Sequence, residues 1–300
     1  MNLISNFDYI PDINSTARKP SDKSEVSLAS FDYEKSIWGY GNASLSLKSP
    51  TSFRLRQSLK SIAELKSGAK VLELGCGAGQ FIREIKKIRP DLDCYGCDIS
   101  QHAIALAKQA DDGVSYDLST ENNSTYADNF FDAVLIFDVL EHVENPSLIL
   151  SEVNRVLKSG GVFYSFVPCE ADSLSFWNLL YKLGLKKELT RMYAGHINKF
   201  SRKSLVDIVQ SHGFAVKSVR YSEQILGQLL GLFAFFSMDH FAKKNHLSQV
   251  NNEQYFYGLD QKGGGVLKVI KNIVNSLVAL ESIIFSKVPS PNVHLTVVKK

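Results

Sequence analysis

Between residues 70 and 168, short apolar runs alternate with segments whose apolar residues recur at helical spacing. Lys70–Leu74 (KVLEL) predicts a strand, and Gln80–Ile88 predicts a helix carrying Phe81, Ile82, Ile85 and Ile88 that stops before Pro90. Cys94–Cys97 predicts a second strand, and Ser100–Gln109 a second helix with Ser100 as its N-cap. A short third strand follows at Val114–Tyr116, then a buried one at Ala133–Phe137 (AVLIF). A helix then runs through Leu148, Ile149, Val153, Val156 and Leu157, and Ser159-Gly160-Gly161 turns the chain into a strand at Val162–Val167. This alternation predicts βαβ units, and the near-continuous apolar strands predict a parallel sheet covered on both faces. The fold class is α/β, doubly wound.

The flanks follow other patterns. Residues 1–35 are rich in Ser, Asp and Asn and read as a loosely held leader. SIWGYGN (Ser36–Asn42) suits either a ligand-facing lid or a segment packing its aromatics on the core. Residues 51–66 carry Phe53, Leu55, Leu59, Ile62, Ala63 and Leu65 near helical spacing. After a strand at Ala215–Tyr221, the sheet needs only a final antiparallel strand, supplied by His294–Val298. The segment between is strongly apolar at Ile225–Met238, yet shorter than the roughly 20 residues that span a bilayer. Val266–Phe285 reads as an amphipathic helix. Val266, Ile270, Ile273, Leu277, Leu280 and Ile284 mark one face, and Lys268, Lys271, Asn272 and Asn275 the other.

Two readings of residues 225–285 stand side by side. They form a cap whose apolar faces pack together over a substrate, or they meet a membrane surface or lipid-linked acceptor. The apolar Ser173–Leu185 (SLSFWNLLYKLGL) joins the same cap. The domain organisation is thus a leader and lid over 1–60, a core over 61–223 with a cap segment at about 170–200, an apolar helical insertion over 224–290, and a final strand over 291–300.

Composition narrows the partners. Basic residues exceed acidic ones by 34 to 31, too small an excess for a nucleic-acid footprint. The first twenty residues lack a basic start followed by an apolar run, so no secretory signal is expected and the protein is expected in the cytoplasm. Cys94-Tyr95-Gly96-Cys97 has the spacing of a redox pair or half a zinc site. It lies within a strand without a second CxxC or a nearby His, so buried strand cysteines in a reducing compartment account for it better.

VLELGCGAGQ (Val71–Gln80) places Gly75, Gly77 and Gly79 directly behind the first strand, where an open parallel sheet binds ligands. Glycines there let the backbone approach a ligand closely. Glu73 precedes them, and a carboxylate near a helix N-terminus would compete with a phosphate but favour a cationic ligand. Asp98 ends the second strand, placed to accept hydrogen bonds from ribose hydroxyls. Ribose together with a charged amino group fits S-adenosylmethionine better than a nicotinamide dinucleotide.

Together VLELGCGAG, the CDIS end of strand two, FDAVLIFDVLEHV and LKSGGVF resemble class I S-adenosylmethionine-dependent methyltransferases over residues 65–168. More narrowly they resemble the small-molecule branch that includes the ubiquinone-pathway O-methyltransferases, as do GHINKFS (Gly195–Ser201) and the helix and strand after it. The resemblance implies a Rossmann-like, mostly parallel seven-stranded sheet with helical cap insertions, and S-adenosylmethionine as cofactor. It implies that Glu73, Gly75, Cys76, Gly77 and Gly79 line the methionine moiety, Asp98 holds the ribose and Ile99 packs on the adenine. Asp117-Leu118 is the best match for the acidic position near the adenine amino group, with Thr120 and Glu121 as rivals, and Phe137-Asp138 would border the sulfonium.

Methyl transfer to oxygen calls for positioning and, where the acceptor is weakly acidic, a base. His142, in DVLEHV, and His196, in GHINKF, are the candidates, each with a structural hydrogen-bonded role as the alternative. Asp138, Glu141 and His142 would share one face of a helix start, suited to capping that helix or, alternatively, to holding a divalent ion. The expected activity is methyl transfer, most simply to oxygen, on a small-molecule, sugar or lipid-linked acceptor. A non-catalytic cofactor-binding protein and a nicotinamide-dependent dehydrogenase are the rivals.

Overall fold

The computed structural model describes residues 34, 37–39, 41–120, 124–185, 189–244 and 265–300. A seven-stranded sheet forms the body, in the order β3-β2-β1-β4-β5-β7-β6. The strands are β1 (Lys70–Leu74), β2 (Asp93–Asp98), β3 (Ser115–Leu118), β4 (Phe131–Phe137), β5 (Leu157–Pro168), β6 (Phe214–Ser222) and β7 (Asn292–Lys299). β1 to β5 pair in parallel, and β7 inserts antiparallel between β5 and β6. Strand order reverses between β1 and β4, the place where such sheets bind ligands.

Three helices follow the expected pattern. α2 (Gln80–Ile88) buries Phe81, Ile82 and Ile85, and α3 (Gln101–Lys108) starts where the Ser100 hydroxyl accepts from the Ala103 amide at 3.1 Å. α4 (Pro146–Val156) starts later than expected, since Asn145 is its N-cap and accepts from the Ser147 amide. β5 begins at Leu157, so Ser159-Gly160-Gly161 lies within the strand rather than ahead of it. α1 (Ser52–Ser61) and α7 (Arg202–Ser211) complete the body.

Two buried clusters, one on each face of the sheet, form the core. Cys94 belongs to one and Cys97 to the other, as residues three apart on a strand must. All four cysteines are free and buried, and burial pushes the thiols of Cys94 and Cys97 up to about 12. They are packing residues.

The cap consists of α5 (Phe176–Lys182), α6 (Leu189–Ala194), α8 (Leu226–Lys244) and α9 (Gly265–Ile284). Leu189, Tyr193, Met238 and Ala242 form its own small core, with Trp177 and Phe235 against it. Among the described residues no helix is long and apolar enough to cross a membrane.

Of the two readings of residues 225–285, the packed cap holds in part. The apolar faces of the cap do not all pack together, because α9 meets the body through the side that carries Asn275, Ala279 and Ser282, with Val274 and Val278 beside them. Asn275 is 8% exposed and donates to the Lys48 carbonyl at 2.8 Å, and Ser282, 1% exposed, accepts from the Glu223 amide. Glu281 accepts from the Ile225 and Leu226 amides at 3.0 and 2.9 Å, compensating the start of α8. With those groups turned inward, Ile273, Leu277, Leu280 and Ile284 point outward and are exposed, and Ile270 is exposed at the cavity rim. The side with these hydrogen bonds meets the body, and the long apolar stripe does not.

Candidate active site

A cavity of about 1700 Å³ opens over the carboxyl ends of β1, β2 and β4. Its floor is the glycine loop, fixed by the Gly75 and Cys76 amides, which donate to the Cys97 carbonyl at 2.8 and 3.0 Å. Gly77 has φ +53°, and a Cβ there would lie 2.5 Å from the Trp38 carbonyl oxygen. Gly79 has φ +87°, and a Cβ there would meet the Tyr116 hydroxyl at 2.5 Å. Side chains are thus excluded by both conformation and space.

The carboxylates are placed by backbone donors. Asp98 Oδ2 accepts from the Gly77 amide at 2.8 Å and Oδ1 from the Ser100 amide at 2.9 Å. A carboxylate oxygen has two lone pairs, so Asp98 keeps acceptor capacity toward the cavity it lines. Glu73 is 2% exposed and accepts from the Ile82 amide at 2.7 Å. Burial pushes its carboxyl up to about 8, against the pull of that amide.

Glu73, Gly75, Cys76, Gly77, Asp98, Ile99, Phe137 and Asp138 all line the cavity; Gly79 does not, and its neighbour Gln80 does. Ile99 presents an exposed apolar side chain, and Phe137 stacks on Phe81 with ring centroids 4.1 Å apart. Asp117 and Leu118 stand elsewhere. The Asp117 carboxylate accepts from the Tyr126 hydroxyl at 2.9 Å, and Ser119 and Thr120 line the cavity in their place. The rival Glu121 lies outside the described residues. Of SIWGYGN, both readings hold in part: Ile37 packs against Ala78 and Ala103, while Trp38 lines the cavity and its carbonyl accepts from the Ala78 amide at 2.8 Å. Glu34, near the end of the leader, is held at the start of α3 by the Gln101 and His102 amides.

The segment after β4 is a series of turns, so Asp138, Glu141 and His142 do not share a helix face or cap α4. Asp138, at φ +51°, instead pairs with Arg54 of α1 at 2.5 Å, and the Arg54 guanidinium lies 3.9 Å over the Phe166 ring. The Glu141 carbonyl accepts from the Ile197 and Asn198 amides, both at 2.9 Å, and the Asn198 side chain donates to the Leu140 and Val143 carbonyls. These bonds dock GHINKF onto DVLEHV and bring His142 and His196 together, ring centroids 4.9 Å apart.

Behind His196 stands Glu170, just past the end of β5, with His196 Nδ1 2.5 Å from its Oε1. Its other oxygen accepts from the Tyr181 hydroxyl at 2.7 Å and the Thr190 hydroxyl at 2.9 Å. Burial raises the Glu170 carboxyl, but His196 and these donors outweigh it and hold the group below the usual carboxylate range. His142 is the opposite case. Burial, then the neighbouring His196, depresses it well below 6.5, so it is neutral, with Nδ1 3.3 Å from the Gly195 carbonyl.

Glu141 is fully buried, neither carboxyl oxygen has a hydrogen-bond partner, and burial, then Asp138, raises it far above 4.5. Glu141, His142 and His196 each offer a donor atom within 4.8 Å of the others, a set that could hold an ion or pass a proton. Arg54 and Glu170 were not singled out in the sequence. Glu170 carried a usable signal, an acid immediately beyond a parallel strand's carboxyl end. Arg54 carried none, because it looks like one more basic residue on an amphipathic helix.

Comparison with known proteins agrees with this geometry. A family model described as a methyltransferase domain matches residues 50–219. A ubiquinone/menaquinone biosynthesis C-methyltransferase of Desulfotalea psychrophila is 32% identical over 176 residues, 53% of this chain and 70% of that protein. A ubiquinone biosynthesis O-methyltransferase of Thiobacillus denitrificans is 31% identical over 44% of this chain and 59% of its own length. Among solved structures, Haemonchus contortus phosphoethanolamine N-methyltransferase 2 in complex with S-adenosyl-L-methionine aligns at TM-score 0.53 and 19% identity, covering 87% of this chain and 55% of that one. The [4+2]-cyclase SpnF aligns at 0.52 and 18% identity, covering 88% and 86%. These structural likenesses establish the fold, Rossmann-like, and the cyclase among them shows why the reaction must be read from the site.

Proposed function

This chain belongs to the class I S-adenosylmethionine-dependent methyltransferases, and from that premise we propose that it methylates a hydroxyl oxygen of a small-molecule acceptor bearing an apolar portion. The observation that carries this reading is the His196–Glu170 pair at the cavity wall. The glycine loop, Glu73 and Asp98 would hold the cofactor, which when bound would supply a methyl group on a positively charged sulfur. What remains is to present an oxygen nucleophile in line and take its proton.

His196 is arranged for that task. Its Nδ1–H donates to the ionised Glu170, which fixes the tautomer and leaves Nε2 as the acceptor. Glu170 then stabilises the imidazolium formed when His196 takes the acceptor's proton. His142, kept neutral by burial, adds no repulsion to that cation and shapes the wall beside it. Arg54 neutralises Asp138, so the acceptor meets a balanced pair rather than a bare carboxylate.

On the far side the cavity is lined by Leu230, Phe233, Phe235, Ile270, Val274 and Val278. That wall supports an acceptor with a substantial apolar part, such as a quinone precursor or a lipid-linked sugar. The relative named an O-methyltransferase supports transfer to oxygen, and the one named a C-methyltransferase supports carbon as the second reading. The four buried, free thiols fit a reducing compartment, and we place the enzyme in the cytoplasm.

Screening hydroxylated acceptors with and without a long apolar tail, using methyl-labelled cofactor and product NMR, tests this reading. An O–CH₃ product whose formation collapses in His196→Ala supports it. A C–CH₃ product selects the second reading, and no turnover on any acceptor despite cofactor binding selects a non-catalytic binder.

A further inference from the structure

The outward stripe of α9 has a counterpart on α8. Leu226, Leu229, Leu230, Phe233 and Phe236 recur at helical spacing and are exposed, Phe233 to 70%. α8 packs against both α9 and α5, and Leu230, Phe233 and Ile270 line one cavity, so the α8 and α9 stripes, the latter with Leu277 at 50% and Ile284 at 68%, meet at its rim; Leu179, Leu183 and Leu185 are exposed on and just beyond the adjoining α5. Large apolar side chains exposed at helical spacing on adjoining helices are the kind of surface that marks an interaction site. It is not an inner face left uncovered by accident, since Asn275, Glu281 and Ser282 fasten α9 by its other side.

Among the described residues of these helices, the exposed charges are mostly lysines. Lys182, Lys244, Lys268, Lys271 and Lys287 are exposed on or beside these helices. Asp239 and Glu281 are the acidic residues of α5, α8 and α9; Asp239 is buried and pairs with Lys243, and Glu281 is spent on the start of α8. A continuous apolar stripe bordered by lysines is complementary to anionic lipid headgroups over acyl chains. The patch also runs into the cavity, because Leu230, Phe233, Ile270, Lys268 and Lys271 belong to both.

We infer that the outer face of α5, α8 and α9 docks on an anionic lipid bilayer, with α8 and α9 lying in its interface and the cavity mouth between them opening toward the lipid. Docking is reversible, and the apolar wall of the cavity continues the acyl region, giving an amphiphilic acceptor a path that avoids water. The inference stands apart from the atom methylated, since an enzyme acting on a soluble acceptor could dock in the same way.

Flotation of the full chain with vesicles tests it. With equal parts phosphatidylcholine and phosphatidylglycerol at about 0.1 M salt, where surface charges are only partly screened, most of the protein is expected to float, and several-fold less with phosphatidylcholine alone. Ile273→Asp with Leu277→Asp, both outside the cavity, is expected to weaken anionic-vesicle binding about tenfold or more. The same pair should leave S-adenosylmethionine affinity and Tm unchanged, showing that the chain is folded. Protein that stays at the bottom of the gradient with anionic vesicles overturns the inference. So does a dimer in light scattering that this pair of substitutions splits, because a second copy would then cover the face.

Discussion

The two ends of the cavity were built by opposite rules. At the glycine end, polar groups are few and each is consumed by a neighbouring backbone amide, as Asp98 is by Gly77 and Ser100. Most apolar side chains there point into the sheet's core, Ile99 excepted, and the spare acceptor capacity of Asp98 faces the cavity. At the cap end, α9 turns Asn275 and Ser282 inward and its leucines and isoleucines outward. Burial favours apolar groups by about 25 cal/mol per Å², yet a helix held at its polar side by several hydrogen bonds and a half-buried carboxylate has no room to roll over. Periodicity reveals that a helix has two faces. Which face meets the body depends on the groups waiting there.

The largest break in this contrast is expected at the boundary between the ends. His196→Ala removes the base and Glu170→Gln removes the group that fixes its tautomer, and each should lower kcat by about 10²- to 10⁴-fold while S-adenosylmethionine affinity holds, which stopped-flow and binding measurements separate. Equal losses of kcat and affinity would mean that the pair is structural.

Next is Gly77→Ala. It places a methyl against the Trp38 carbonyl at a positive φ, a strain of about 1–3 kcal/mol, so cofactor affinity should fall some ten- to hundredfold in a calorimetric titration. A matched pair on α9 sharpens the cap end. Ala279→Asp, on the inward face, should cost about 2 kcal/mol or more of stability, and Leu277→Asp, on the outward face, less than about 0.5 kcal/mol. Denaturant unfolding decides it, and a larger cost at Leu277 than at Ala279 would mean that the leucine stripe is the buried one.

The smallest effect is one of pH. Glu73 stands at about 8 in the folded chain against a reference of 4.5, so the folded state binds the extra proton between those values. Its stabilising contribution is therefore complete below about 4.5 and is lost as pH rises through about 8. A bound cation favours the ionised form, so cofactor binding at pH 7 should release a proton and tighten as pH approaches 8. Calorimetry in buffers of different ionisation enthalpy reads that proton, and no dependence on buffer would show Glu73 already ionised.

The sheet was legible because its strands are short, apolar and separated by helices of clear period. β1 and α2 fall where their residues suggest, and Ser100 caps α3 as its position implies. That the glycine loop, Glu73 and Asp98 line the cavity was legible because glycines and acids at the carboxyl ends of parallel strands mark where such a sheet opens. Glu170 and Arg54 escaped notice because their partners, His196 and Asp138, lie 26 and 84 residues away, and nothing local marks a side chain whose role depends on a distant one. Asp117 misled for the same reason, since its hydrogen bond to Tyr126 is visible only in three dimensions. Asp138, Glu141 and His142 looked like one helix face because i, i+3, i+4 spacing presumes a helix, and the chain there makes turns.

The most direct test of the account's centre is a calorimetric titration of the full chain with S-adenosylmethionine, its demethylated product and NAD. One-site binding of the first two, weakened about tenfold or more by Asp98→Ala, with no heat from NAD, is the predicted result. Binding of NAD alone, or S-adenosylmethionine binding indifferent to Asp98, would contradict it.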